Sequence, residues 1–297
     1  RQPTPSWSIQ LVLFGLTFTI LNKAATSTAG SLTPLIETLF ATKESVLSHL
    51  HGHNVARLAT RNVESLLRGR QTAPLNAVLI ITESLRRDAL SIYDNGGQPT
   101  SGRFMADFEG ELFTFAQAFT NATITDVSVP SLLTGLHPRH GAPRLHTQHL
   151  IYERIAAYYD IRTAVISSHS YVSGNFRAFL ASKSLDMLAY RETVGGPKVN
   201  ETAGDDSSIV TKFDHFLNQL GSNEKFFAVL HFSGTHFPYN TPDAFAEPVE
   251  TELRAKYARA VRYLELNLDA FWRRMRDRGR LEDTAVFLTS DHGENLG

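Results

Sequence analysis

Four short segments carry side chains that could share a reaction. Glu83 stands in TESLRRD (82–88), directly after an apolar run. Asp291 and His292 stand side by side in SDHGENLG (290–297). His236 stands in SGTHFPY (233–239), and NATITDVSVPSLLTG (121–135) supplies a row of hydroxyls ahead of a helix-like apolar stretch. Carboxylate oxygen with imidazole nitrogen is a normal zinc donor set. Gly293 permits a backbone bend that turns Asp291 and His292 towards one ion. A hydroxyl at a helix N-terminus is a candidate nucleophile, because the positive helix end and a metal both stabilise its alkoxide. Thr123, Thr125 and Ser128 all qualify on that ground. His236 could bind a metal or hold a phosphoryl oxygen. Each assignment has a plainer rival: a helix-start charge for Glu83, a capped turn for Asp291 and His292, a loop histidine for His236, and N-capping for the hydroxyls. His231 reads as a structural strand residue, and Arg86, Arg87 and Asp88 read as exposed helix charges rather than a phosphate clamp.

Such residues meet only if the intervening elements bring them together. The runs Ala77–Ile81, Thr163–Ile166, Phe226–Leu230 and Ala285–Leu288 have the apolar, β-rich texture of buried strands. Helical patterns alternate with them near Leu150–Tyr159, Ser207–Leu220 and Thr251–Arg276. This alternation predicts an α/β fold with a mainly parallel central sheet sandwiched by helices. In such sheets ligands bind outside the carboxyl ends of the strands. Glu83, His236, Asp291 and His292 all follow a strand run closely and gain weight from that rule.

The chain has 297 residues, 42% hydrophobic and 20% charged, which suits one large globular domain or two modest ones. A formal net charge of -1 gives no electrostatic case for nucleic acid. There is no cysteine, so any metal must be held by carboxylates, imidazoles or a hydroxyl. The apolar run Trp7–Leu21 is 15 residues long, below the roughly 20 of a spanning helix. It reads as a strand, a buried helix or the end of a transmembrane segment over 1–22. Residues 23–74 read as a helical linker that ends in QTAP (71–74), and 75–297 as the catalytic domain, cut short at its C-terminus.

In their order, these segments resemble the alkaline-phosphatase superfamily, in its branch of sulfatase-like phosphoethanolamine transferases and lipoteichoic acid synthases. NAVLIITESLRRD (76–88) is similar to the first metal segment of that branch, SDHGENLG (290–297) to its last, SGTHFPY (233–239) to its substrate-side histidine segment, and YARAVRY (257–263) to a helix beside the site. The resemblance implies zinc, or else manganese, magnesium or calcium, on Glu83, Thr125, Asp291 and His292. Counting back five residues from Pro130, as in the transferases, reaches Thr125 as the nucleophile. Counting back nine from Thr134, as in sulfatases, reaches Thr125 again, whereas the sulfatase Cys-x-Pro spacing reaches Ser128. His236 and Ser128 are the implied substrate contacts.

The implied reaction moves phosphoethanolamine or a similar phospho-alcohol from a phospholipid donor to an envelope lipid or glycan, through a phosphothreonine. The implied location is the inner or cytoplasmic membrane, with the catalytic domain facing the periplasm or the outside. Release of the group to water, by a sulfatase or phosphodiesterase, is the first alternative. A non-catalytic membrane-anchored binding domain is the second. The chain departs from the transferases in lacking the cysteines that bracket their nucleophile segment.

Overall fold

A computed structural model describes residues 71–90, 93, 113–115, 117–172, 175–200, 202–242 and 252–297. The transmembrane reading of 1–22, and the linker reading up to residue 70, fall outside the described residues. Among those described, no helix is long and apolar enough to cross a membrane.

In chain order the strands are β1 (Gln71–Thr72), β2 (Asn76–Thr82), β3 (Tyr159–Asp160), β4 (Arg162–Ser167), β5 (Met187–Ala189), β6 (Phe226–Phe232) and β7 (Thr284–Ser290). The α-helices are α1 (Thr125–Thr134), α2 (Gly141–Thr147), α3 (Ile151–Tyr158), α4 (Phe176–Leu180), α5 (Arg191–Val194), α6 (Ser207–Asn218) and α7 (Leu253–Asp277). Five strands form one sheet in the order β5-β4-β6-β2-β7, and every pairing in it is parallel. All four predicted strands are present, each two or three residues longer than its apolar run. The short edge strand β5 had no comparable run to announce it. Gln71 and Thr72, expected in a linker, instead pair with Tyr159 and Asp160.

The inner strands β4, β6 and β2 are covered on both faces, which is why they are continuous apolar runs rather than alternating ones, whereas β7 is only partly covered. Successive side chains still point to opposite faces. On β6, Phe226, Ala228, Leu230 and Phe232 meet Phe213 and Phe216 of α6 and Val261, Leu264 and Phe271 of α7. Phe227 and Val229 point the other way, into a core built from Val129 and Leu133 of α1, Tyr152 of α3 and Phe176 and Phe179 of α4. Both helix groups thus press on the central strand.

Register places the strand ends. Thr82 pairs with Phe232 on one side and Ser290 on the other, and Ser167 pairs with His231. The carboxyl ends of β4, β6, β2 and β7 therefore lie along one edge of the sheet, and the residues after them share one crevice.

Candidate active site

Glu83 leaves the end of β2 between two neighbours. Its N–H donates to Phe232 O at 2.9 Å, and Asp291 N donates to Thr82 O at 3.1 Å. The chain then turns at Ser84, a non-glycine residue with φ 60°. Ser84 N donates to Asp291 Oδ1 at 3.0 Å, and Leu85 N to Ser290 Oγ at 2.9 Å. The strained turn is thus stitched to the end of β7 and sets Glu83 beside Asp291. Both carboxylates are fully buried.

Thr125 is the first residue of α1, directly after the N-cap Ile124, whose apolar side chain makes no cap bond. The Thr125 hydroxyl donates to Glu83 Oε1 at 2.9 Å and lies 3.2 Å from His292 Nε2. Ser128 is buried, and its hydroxyl donates to the carbonyl of Asp291. Thr120 Oγ1 donates to the same carbonyl at 2.5 Å. Thr123 is exposed. Of the three candidate hydroxyls, only that of Thr125 bonds to a side chain of the carboxylate–imidazole group. Arg86 forks onto Asp88 at 2.6–2.8 Å and donates to Glu294 O at 2.8 Å, which leaves it partly buried rather than the exposed charge expected.

Three imidazoles close the crevice. His292 Nε2 is 3.5 Å from Asp291 Oδ2, and His236 Nε2 is 3.6 Å from Glu83 Oε1. His169 Nε2 is also 3.6 Å from Glu83 Oε1. Sequence reasoning passed over His169, although it stands two residues beyond β4 and the strand-end rule reaches it. Each ring places Nδ1 against a backbone carbonyl: Gly293 O at 2.6 Å, Phe237 O at 2.5 Å and Ser170 O at 2.7 Å. A carbonyl only accepts, so Nδ1 of each ring carries a proton, and Nε2 is the nitrogen that faces the carboxylates. His231 lies within β6, as predicted, with Nδ1 3.2 Å from Tyr171 OH and Nε2 unpartnered. Its ring stacks on His169 at 5.7 Å.

Burial acts to raise the pKa of Glu83, but His169, His236, His231 and the Thr125 hydroxyl together hold it below the usual carboxylate range. Asp291 is pushed up to about 6, first by burial and then by the charge of Glu83. Burial drives His231 down to about 4.

The donor set fits a cation. Glu83 Oε2 and Asp291 Oδ2 are buried without a hydrogen-bond partner. Buried carboxylate oxygens need a positive or hydrogen-bonding partner. Among the described residues, no group of three or more His, Cys, Asp or Glu side chains stands in a metal-holding arrangement.

A family model described as Sulfatase matches residues 75–297. The lipoteichoic acid synthase LtaP from Listeria monocytogenes shares the fold with a TM-score of 0.63 at 20% identity, covering 79% of this chain and 62% of its own. The integral membrane protein lipooligosaccharide phosphoethanolamine transferase A from Neisseria meningitidis gives 0.64 at 18%, covering 98% and 54%. The C-terminal periplasmic domain of EcEptC from Escherichia coli, solved in complex with Zn, gives 0.54 at 18%, covering 76% and 66%. This chain thus spans between about half and two thirds of each of these structures. No match is found among curated proteins.

Proposed function

The chain belongs to the sulfatase family, within the alkaline-phosphatase superfamily, and from that premise we propose a metal-dependent enzyme acting on phosphate esters. Its reaction is transfer of phosphoethanolamine or a similar phospho-alcohol group from a phospholipid to an envelope lipid or glycan. The observation that carries the reading is the Thr125 hydroxyl, 2.9 Å from Glu83 Oε1 and 3.2 Å from His292 Nε2.

Glu83, Asp291, His292 and Thr125 would hold the metal, with zinc the best fit to two carboxylates, an imidazole and a hydroxyl. When bound, the metal supplies Lewis-acid charge that lowers the pKa of the hydroxyl. Thr125 Oγ1 attacks phosphorus, and its bond to Glu83 Oε1 gives the departing proton an acceptor. The bond from phosphorus to the donor's alcohol oxygen breaks, and that oxygen takes up the proton that Thr125 released and leaves as an alcohol. The phosphothreonine then passes its group to an acceptor hydroxyl, whose proton is lost as Oγ1 regains one. His236 and His169 face Glu83 from the strand ends and steady the non-bridging oxygens or the acceptor. Positioning and fixed charge provide most of the rate in such chemistry.

Catalysis is placed in residues 75–297, the stretch that the Sulfatase family model matches. The proposed location is the inner or cytoplasmic membrane, facing the periplasm or the outside. The transferases among the structural relatives favour an acceptor other than water, and a sulfatase or phosphodiesterase reaction is the competing outcome. The test is mass spectrometry of the zinc-loaded protein incubated with phosphatidylethanolamine. A phosphoethanolamine adduct on Thr125, absent from Thr125→Ala, is expected. An adduct on Ser128 instead would move the nucleophile, and no adduct with free phosphoethanolamine accumulating would favour the hydrolase. A chain that takes up no metal and turns over no ester would be a binding domain.

A further inference from the structure

Two loops leave adjacent strand ends, and each brings an imidazole to Glu83. Ser168 and His169 follow β4; Ser233, Gly234, Thr235 and His236 follow β6. Behind the crevice the loops converge on one carboxylate, Asp206, just ahead of α6. Asp206 Oδ1 accepts from Ser168 Oγ at 2.5 Å and from Ser233 N at 3.1 Å. Oδ2 accepts from Gly234 N at 3.1 Å. Ser168 Oγ also lies 2.7 Å from Ser233 Oγ and accepts from Ser233 N at 3.0 Å.

An aspartate in this place normally caps the helix that follows it. Asp206 makes no such bond to α6. Its carboxylate is spent wholly on the two loops. The fit is close, since a Cβ on Gly234 would stand 2.5 Å from Asp206 Oδ2. The group is 1% exposed, so losing one of its donors leaves a buried polar atom unpaired. Burial pushes its carboxyl up to about 6 against the pull of the Ser168 hydroxyl and the two backbone N–H groups.

We propose that Asp206 is a positioning residue that ties the β4 and β6 loops together and so sets His169 and His236 on either side of Glu83. It touches no reacting atom and acts only through the histidines. The inference rests on the reading of Glu83 as part of the reaction centre.

The test is Asp206→Asn in the full chain, which keeps the shape but turns an amide NH2 towards an N–H donor. Phe216→Leu is the control, because it loosens α6 in the core and touches neither loop. Turnover of bis-p-nitrophenyl phosphate by the zinc-loaded protein and the histidine ring NMR spectrum are measured together. Asp206→Asn should lower kcat by about 10–100-fold with little change in KM, as a misplacement of about 1 Å does. It should also move the ring signals of His169 and His236 while leaving that of the exposed His215 in place. Phe216→Leu should keep kcat and both ring signals near wild type despite a lower Tm. Unchanged ring signals in Asp206→Asn, or an equal loss of kcat in Phe216→Leu, would overturn the proposal. If Asp206→Asn does not fold, Ser168→Ala removes one tether and the same two signals decide. If the wild-type chain cleaves no diester, the reaction assignment fails, while the ring signals still judge the positioning.

Discussion

Thr125 and Ser128 lie one helical turn apart on α1, yet their hydroxyls have different partners. Thr125 faces Glu83 and His292, while Ser128 is buried against the carbonyl of Asp291. Thr125→Ala should lower turnover by at least about 10³-fold, the scale of losing a nucleophile. Ser128→Ala removes a bond to the turn that carries Asp291 and should cost only about 10-fold, as a positioning change does. Steady-state kinetics on the same diester checks both, and equal losses would contradict the assignment. His231 supports a separate prediction. Its folded pKa lies near 4, below the ordinary 6.5, because burial penalises the charged ring. Between those values the unfolded chain binds more protons, so this group's contribution is intact above pH 6.5 and is lost as pH falls towards 4. The wild type should therefore lose on the order of 3 kcal/mol relative to His231→Phe across that window. Urea unfolding of both proteins at several pH values reads the difference, and parallel curves would refute it.

At the scale of elements, α7 does more than cover the sheet. Its Tyr257 hydroxyl accepts from Arg86 N at 2.8 Å and donates to Ser84 O at 2.9 Å. Those two bonds grip the turn whose φ is 60° at Ser84, immediately after Glu83. A left-handed serine is unfavourable unless its surroundings over-determine it. Tyr257→Phe should cost about 1–3 kcal/mol, because it leaves a buried carbonyl and a buried N–H short of a partner. It should also lower kcat, since the turn aims Glu83. Urea unfolding with kinetics on the folded protein tests this, and a variant destabilised but fully active would separate the turn from catalysis. The resemblance of YARAVRY (257–263) to a helix beside the site thus acquires a physical content in the Tyr257 clamp.

At the scale of the molecule, everything converges on β6. It is the central strand of five, paired on both sides and buried along its whole length. The crevice at its carboxyl end inherits that rigidity, which suits a site whose donors must be held in place before substrate arrives. Leu230→Ala should destabilise the protein by about 2–5 kcal/mol, by lost transfer energy and an unfilled cavity. Amide exchange should be slowest in β6 and faster in the edge strands β5 and β7, because core strands open only with global unfolding. Hydrogen-exchange mass spectrometry resolves this, and equal protection of β5 and β6 would contradict the layered core.

The division between sequence and structure follows the range of the forces involved. Buried strands leave continuous apolar runs, so β2, β4, β6 and β7 were visible in the chain itself. Their ends pointed to Glu83, His236, Asp291 and His292, and two of the three motif counts reached Thr125 while the third reached Ser128. The edge strand β5 was not visible, because three residues at a sheet margin make no periodic signal. The sheet order was not visible either, since a run shows that a strand exists but not which strands flank it. That order alone seats Glu83 between β6 and β7 and brings His169 and His236 to the same Glu83 oxygen. It also decides between Thr125 and Ser128 as partners of Glu83, because one helix start presents both hydroxyls and only the docked helix orients them. Asp206 is the extreme case: nothing along the chain marks it, and only the meeting of two distant loops engages its carboxylate.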